Sequence, residues 1–467
     1  MEMLMQLDVD FISRALGKAC VHNGVFPQDA LFGVDTRTVQ KGDVFVALQG
    51  ERVDGHDFIE QALQKEVSGL IIAKHKKDEL FKKFGTRLSE KHLLVVDDTL
   101  QALVDLATHW RSQFTYPVVA ITGSVGKTTT KEMLKNILKL TNKKFLVSSG
   151  NQNTLVGVSL NILKMRTDHQ VAVFEVGIGK CGAMKKLAGL LRPTYAVITK
   201  VGYGHMEGLG DISSVAHEKR EIFSCFSERN IGVINGDQKE LIDVSYVHPV
   251  LRFGYKTTNQ IQARKIDIAH NVTTFIAKMY DRKYSVILQG CHEARIMNAL
   301  AAISIGYLLQ IPDELLVKGV EQPLMLNGRF QILPHRSGSI LINDGYNANP
   351  DSMKAALLAF HAYETEREKI VVLGDMLELG VDTVFWHRQM GKFLSKISNI
   401  GHVILVGQHV QAMQKTLPLG LKSTLFNSAD DAFDFLKDML LEKNKIFLFK
   451  GSFSVKLSDL VEKLHDL

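Results

Sequence analysis

The run Gly123-Ser124-Val125-Gly126-Lys127-Thr128-Thr129 is the segment of this chain best suited to hold phosphate. Glycines let backbone N–H groups approach phosphate oxygens, and a helix starting at the end of the run adds positive potential. An apolar strand, Val118 to Ile121, comes before it. Behind it, Met133, Leu134, Ile137 and Leu138 recur at helical spacing. Strand, glycine turn and helix start is the context a nucleotide-phosphate loop requires. Lys127 would reach the terminal phosphates and Thr128 would ligate Mg²⁺. Only two residues separate Gly123 from Gly126, where the general pattern has four, so a plain turn capped by threonine stands as the alternative.

Three further residues are placed to hold metal. Glu175 ends the apolar run Val171-Ala172-Val173-Phe174, and the carboxyl ends of central parallel strands are where such sheets bind ligands. A helix cap is an equally good reading of Glu175. His205 follows another strand tip, in Gly202-Tyr203-Gly204-His205-Met206-Glu207-Gly208, where a merely solvated imidazole is the plainer alternative. Lys219 falls on one helical stripe with Val215, Ile222, Phe223 and Phe226. Either its stem packs and its amine snorkels to water, or its pKa is depressed and it reacts with CO₂ to give a carbamate. A carbamate has two anionic oxygens suited to Mg²⁺. The pattern alone leaves both open.

Holding these groups takes more than one core, because 467 residues exceed what a single hydrophobic core organises. Strand-like runs alternate with helix-like segments, which predicts α/β architecture. The clearest strands are Val44 to Leu48, Gly69 to Ala73 and Leu93 to Val96, then Val171 to Val176, Tyr195 to Thr199 and Gly232 to Ile234. A third group comprises Ile340 to Ile342, Ile370 to Leu373, Val403 to Val406 and Ile446 to Phe449, with helices at Met353 to Phe360 and Leu457 to Leu464. Domains are expected over 1–112, 113–325 and 326–467, the last a second open sheet with helices on both faces.

Composition narrows the function classes. The 56 Lys+Arg against 50 Asp+Glu give a formal +6, which suits anionic small ligands. The densest basic run, Lys74 to Lys91, also carries Asp78, Glu79 and Glu90 and reads as a solvated helix and loop rather than a nucleic-acid surface. Cys20, Cys181, Cys225 and Cys291 lack metal or redox spacing and read as free thiols. Met1 to Asp10 lacks the apolar core of a signal peptide, and no apolar run is long enough to span a bilayer. A soluble cytoplasmic protein without membrane insertion is expected.

Taken together, these motifs resemble the Mur ligase family along essentially the whole chain, in order. Asp35-Thr36-Arg37, Gly42 to Leu48 and Asp54-Gly55-His56-Asp57-Phe58 resemble the family's nucleotide-sugar domain. The short Thr122-Gly-Ser-x-Gly-Lys-Thr form accounts for the missing loop residues. Gly150-Asn151-Gln152-Asn153 with Gly157-Val158 resembles a loop beside the acceptor strand, and Asn298-Ala299-Leu300-Ala301-Ala302 an adenine-side helix. Gly328-Arg329-Phe330, Asp344-Gly345-Tyr346-Asn347-Ala348-Asn349-Pro350, Gly374-Asp375-Met376-Leu377-Glu378-Leu379-Gly380 and Lys450-Gly451-Ser452 resemble loops of its C-terminal domain. Four positions depart from the family: Ser159 for Pro, Gly179 for Asn or Ser, Glu293 for Asn, and Phe453 for the Arg expected near the acceptor pocket.

The resemblance implies three α/β domains: a small UDP-sugar-binding domain, a central phosphate-loop ATPase sheet and a C-terminal Rossmann-like domain that closes on the acceptor. It implies Lys127, Lys219, His205 and Arg329 as catalytic, and Thr128, Glu175, His205 and carbamylated Lys219 around Mg²⁺. ATP would meet Gly123 to Thr129, Asn298, Arg329 and Asp344. Substrates would meet Thr36, Arg37, Asn151, Asn153, Tyr346, Asn347, Lys450 and Ser452. The Tyr346-Asn347-Ala348-Asn349-Pro350 run points to the branch that joins D-alanyl-D-alanine to UDP-N-acetylmuramoyl-tripeptide, acting as a monomer through an acyl phosphate. The Asp35-Thr36-Arg37 segment argues against a folylpolyglutamate synthase. Retention of Lys127, Thr128, Glu175, His205, Lys219 and Arg329 argues against a non-catalytic nucleotide binder.

Overall fold

A computed structural model describes residues 9–17, 20–22, 26–27, 30–50, 52–324, 326–442 and 444–467. Residues 1–8 of the segment weighed as a signal peptide, and Met325 beside the expected 325/326 boundary, lie outside them. Among the described residues, twenty strands form three sheets. The protein is α/β throughout. It divides into two compact units, Met1–Ala120 with Lys143–Gly177 and Ala183–Thr194, and Ile121–Asn142 with Ile178–Gly182 and Tyr195–Leu467.

In the first unit, β1 (Cys20–His22), β2 (Phe32–Gly33), β3 (Val44–Val46), β4 (Gly69–Ala73) and β5 (His92–Val96) form a sheet of order β1-β5-β4-β3-β2. Only β1 runs antiparallel to its neighbour. The aliphatic residues of β3 to β5 are buried on both faces, as parallel strands under helices must be. The Asp54-Gly55-His56 motif is part of this scaffold. His56 is buried, its Nδ1 lies 2.6 Å from Asp54 Oδ1, and its Nε2 accepts the Ala73 N–H at 2.9 Å. A Cβ on Gly55 would lie 2.7 Å from Leu48 backbone atoms, so only glycine fits. The basic run is a set of short helices, Lys74–Lys76, Lys77–Phe84 and Thr86–Ser89, as its mixed charge implies.

The division between the units runs through β6 (Val118–Thr122). In the first unit β6 is flanked by β8 (Val171–Glu175) and β8 by β7 (Phe145–Val147). In the second, β6 is flanked by β9 (Tyr195–Ile198), and the order continues through β10 (Ile231–Asn235), β11 (Val250–Gly254), β12 (Ile261–Ala269), β13 (Val272–Met279) and β14 (Arg282–Gln289). β12, β13 and β14 form an antiparallel meander. Its β12–β13 turn, His270-Asn271, has φ of +51° and +59°, as a tight hairpin requires.

The C-terminal sheet comprises β15 (Gln331–Pro334), β16 (Ile340–Asn343), β17 (Glu368–Gly374), β18 (Ile400–Val406), β19 (Ser423–Phe426) and β20 (Lys445–Lys450), in the order β15-β16-β20-β17-β18-β19. All are parallel except the edge strand β15. Each face carries its own apolar core, one around Met353, Phe360 and Leu405 and the other around Ile404, Leu436 and Leu460. This is the expected doubly covered sheet, and its strand C-termini carry the loops quoted above.

Candidate active site

β6 delivers the chain into the Gly123–Thr129 loop, and the helix Lys127–Lys139 leaves it. Both glycines are needed. Gly123 has φ +151° and a Cβ there would lie 1.9 Å from Thr199 Oγ1; Gly126 has φ +89° and a Cβ there would lie 2.3 Å from Asn298 Oδ1. Gly126 caps the helix with no side-chain acceptor, so its first N–H groups keep the polarity that attracts anions. Lys127 Nζ donates to Gly123 O at 2.8 Å, folded over the loop.

The segment after β9 braces this loop from behind. Thr199 Oγ1 donates to Val125 O at 2.6 Å, and Lys200 O accepts the Ser124 N–H at 2.7 Å. Gly202 brackets the Ser124 hydroxyl, its N–H and its carbonyl each 3.0 Å from Oγ. Asn298, on the helix Ala294–Leu308, accepts the Thr130 hydroxyl at 3.4 Å and so sits against the base of the loop.

His205 lies past this brace with φ +60°, and its Nδ1 is 2.7 Å from Glu378 Oε2. The imidazole depresses the Glu378 carboxyl by hydrogen bond and charge, and Lys127 adds to this. Lys219 is 1 % exposed on the helix Ile212–Arg220, so its amine does not snorkel to water. Burial, and then the charge of Lys127, push it far below the usual lysine range, while neighbouring Glu218 pulls upward. The apolar stripe is real: Val215, Ile222, Phe223 and Phe226 are all buried.

The C-terminal loops converge on the same place. Arg329 Nη2 donates to Thr128 Oγ1 at 3.0 Å, and its guanidinium lies 4.2 Å over the Tyr346 ring. Asp344 accepts the Phe330 N–H at 3.0 Å and pairs with Lys450 Nζ at 2.7 Å. Lys450 also donates to Asn347 O at 3.0 Å, and Ser452 Oγ accepts the Leu377 N–H at 2.9 Å. Lys450 and Ser452 are buried, so they hold the loops in shape from within. Asn349 and Ser352 form a capping box for the helix Pro350–Ala362. Phe453 is 70 % exposed, 6.1 Å from the Tyr346 ring, while Lys456 lies exposed near Asp430 and helps hold that carboxyl acidic.

In the first unit, Glu175 is buried at the end of β8. Its N–H donates to Ser148 Oγ at 3.0 Å, and its Oε1 accepts Asn153 Nδ2 at 3.0 Å. The Asn151–Asn153 loop therefore aims an amide at a strand-tip carboxylate. Gly157 is required because a Cβ there would lie 2.7 Å from the Gln152 backbone. Thr36 is buried and donates to Gln61 Oε1 at 2.8 Å, whereas Arg37 reaches solvent beside Asp35 at 2.6 Å.

With this geometry in view, family models match nearly the whole chain. Residues 31–111 match the Mur ligase family catalytic domain, 121–306 the Mur ligase middle domain, and 328–453 the Mur ligase glutamate ligase domain. The chain belongs to the Mur ligase family. Among its relatives, the UDP-N-acetylmuramoyl-tripeptide–D-alanyl-D-alanine ligase of Bacillus subtilis is 31% identical over 96% of each chain. The Treponema pallidum ligase of the same name is 33% identical over 98% of each. A crystal structure of MurF from Acinetobacter baumannii superposes with a TM-score of 0.86 at 28% identity, covering 99% of each chain. The Thermotoga maritima MurF ligase in complex with ADP gives 0.77 at 26% identity, over 94% of this chain and 97% of that one. This Mur ligase is an ATP-dependent enzyme of three α/β domains.

Two polar groups of this Mur ligase escaped assignment from sequence. Glu378 was visible only as part of the Gly374–Gly380 run, with nothing to pair it with His205. His292 packs its ring 5.3 Å from Phe330, and burial pushes its pKa down to about 4. Nothing local in the sequence marks it as packed against Phe330.

Proposed function

We propose that this enzyme joins D-alanyl-D-alanine to UDP-N-acetylmuramoyl-tripeptide with hydrolysis of ATP to ADP and phosphate, in peptidoglycan precursor synthesis. The observation that carries the reading is Arg329 seated on Thr128 of the phosphate loop, which sets two cations, Lys127 and Arg329, where a terminal phosphate would transfer. Support for the substrates comes from the names of full-length relatives and from the Tyr346-Asn347-Ala348-Asn349-Pro350 loop.

A free carboxylate reacts poorly with an amine because it offers no good leaving group. In this reading the donor carboxylate attacks the γ-phosphorus of ATP, ADP leaves, and an acyl phosphate forms. The dipeptide amine then attacks the acyl carbon, and the tetrahedral intermediate expels phosphate. Lys127 and Arg329 neutralise charge building on the transferring phosphoryl group. A closed C-terminal domain excludes water that would hydrolyse the acyl phosphate.

The donor chemistry fits Mg²⁺. Thr128 offers a hydroxyl oxygen and His205 a ring nitrogen left over from its Glu378 bond. Lys219 is buried, and burial shifts it toward the uncharged amine, the form that reacts with CO₂ to yield carbamate oxygens. Glu175 belongs to the proposed set on the family resemblance. Mg²⁺ would supply charge neutralisation at the phosphates. We place the enzyme in the cytoplasm as a monomer; among the described residues no helix is long and apolar enough to cross a membrane.

The test is phosphate release with purified full-length enzyme. Release should require ATP, the UDP-sugar tripeptide and D-alanyl-D-alanine together. Turnover with a single amino acid or with a folate and glutamate, and none with the dipeptide, would refute the assignment.

A further inference from the structure

Asp351 is the second residue of the helix Pro350–Ala362, where an acidic group ordinarily just favours the helix dipole. Its side chain does something else. Oδ1 accepts Lys200 Nζ at 2.8 Å and Oδ2 accepts the Tyr203 N–H at 3.0 Å. Helix capping is already supplied by Asn349 and Ser352. The carboxylate presses on backbone so closely that a Cβ on Gly202 would lie 2.3 Å from Oδ2.

Residues 200–203 are the same residues that hold the phosphate loop, through Lys200 O on the Ser124 N–H and Gly202 on the Ser124 hydroxyl. One face of the segment therefore grips the loop and the other is gripped by Asp351. Neighbouring contacts extend that grip: the Tyr203 ring lies 4.3 Å from Trp386, and Glu378 O accepts the Glu207 N–H at 3.0 Å. Asp351, Glu378 and Trp386 all come from the C-terminal part of the chain, and the phosphate loop comes from the central part.

We propose that Asp351 is a positioning residue for ATP: it fixes the 200–203 brace, so Ser124 is held in phosphate-binding form only while the C-terminal domain is seated. The inference rests on reading Gly123–Thr129 as the phosphate loop. The Lys200–Asp351 pair is a charge-assisted hydrogen bond, stronger than a neutral one, and the Tyr203 N–H fixes the backbone directly.

Steady-state kinetics on full-length D351A, D351N, K200M and the D351A/K200M double variant test this. D351A should raise KM for ATP about tenfold, the scale of one charged hydrogen bond, and leave KM for the UDP-sugar tripeptide within about twofold. D351N should fall between, because its carbonyl oxygen still accepts the Tyr203 N–H. The double variant should be no worse than D351A. Amide exchange with the ATP analogue AMP-PNP bound should quicken over 122–130 and 199–207 in D351A. A folded D351A with ATP KM within about twofold and unchanged exchange would overturn the proposal, and so would equal rises in KM for every substrate, which mark general loss of packing. Should D351A not fold, D351N and K200M read the same contact. An active Lys127→Ala enzyme would instead overturn the phosphate-loop reading itself, whereas an inactive one beside a normal D351A sinks only the role of Asp351.

Discussion

The Gly123–Thr129 loop and the Lys450–Phe453 loop both follow the C-terminal end of a buried strand, and both carry a lysine. In the first, two glycines with positive φ bend the backbone, and Lys127 lies over the loop with its ammonium on Gly123 O. In the second, Lys450 is buried and its ammonium is spent on Asp344 and Asn347, while the residue left at the surface is Phe453. The same residue type is thus a proposed phosphate ligand in one loop and a strut in the other. What separates them is the kind of acceptor: the Lys127 ammonium meets a neutral carbonyl of its own loop, whereas the Lys450 ammonium meets a carboxylate and a carbonyl of a neighbouring loop.

The comparison can be broken most forcefully at Lys127. Lys127→Ala should lower turnover by ~10³-fold or more with the fold intact, because several kcal/mol of phosphate stabilisation is lost and each ~1.4 kcal/mol is tenfold. Near-normal turnover by a folded variant would remove the distinction between the loops. Lys219→Ala should be almost as inactive, and short carboxylates such as acetate should restore part of the rate by supplying oxygens. A bare amine in high-resolution density of an active enzyme would count against carbamylation.

Lys450 should fail differently. Lys450→Met leaves half-buried Asp344 without its cation, so unfolding free energy should drop by roughly 1–3 kcal/mol. Denaturant titration measures it, and a variant of unchanged stability with weakened substrate binding would make Lys450 a ligand group after all. His292 tests the same scaffold by pH. Its pKa of about 4 lies below the ordinary histidine value, so it is neutral in the folded protein and takes up a proton on unfolding below about pH 6.5. Stability should therefore fall as pH drops from about 6.5 toward 4, by up to ~3 kcal/mol. His292→Gln should flatten that slope; an unchanged slope would assign it to other groups.

The smallest effect expected is at Phe453. Phe453→Arg should lower KM for D-alanyl-D-alanine a few-fold, on the order of 1 kcal/mol, by offering its carboxylate a paired cation, with KM for ATP little changed. An unchanged or higher dipeptide KM would place the carboxylate elsewhere.

The parallel strands could be read from sequence because burial on both faces makes them continuous apolar runs, as in Val371-Val372-Leu373. The β12–β14 meander was not identified as strands. Its burial alternates along β13, with Thr273, Phe275, Ala277 and Met279 inward, and polar residues between them dilute the signal. The Gly123–Thr129 loop was legible because its glycines and threonines act on their own neighbours. Glu378 and Asp351 were not, because what they do depends on partners about 150 or more residues earlier in the chain. Lys219 stood between these cases: its stripe was visible, but only the packing around it decides between an amine that reaches solvent and one that is buried.

The sequence holds two tryptophans, and the structure puts one in each compact unit. Trp110 is buried against Phe11 and Phe114, in surroundings that do not involve the phosphate-loop brace. Trp386 lies tilted against Tyr203, a residue of the segment that Asp351 grips, with Lys354 5.3 Å over its ring. In a Trp110→Phe background the indole emission would come from Trp386 alone. Its colour and quenching would then follow the 200–203 segment in real time, so the protein carries its own optical gauge of how the nucleotide loop is clamped, with no dye attached.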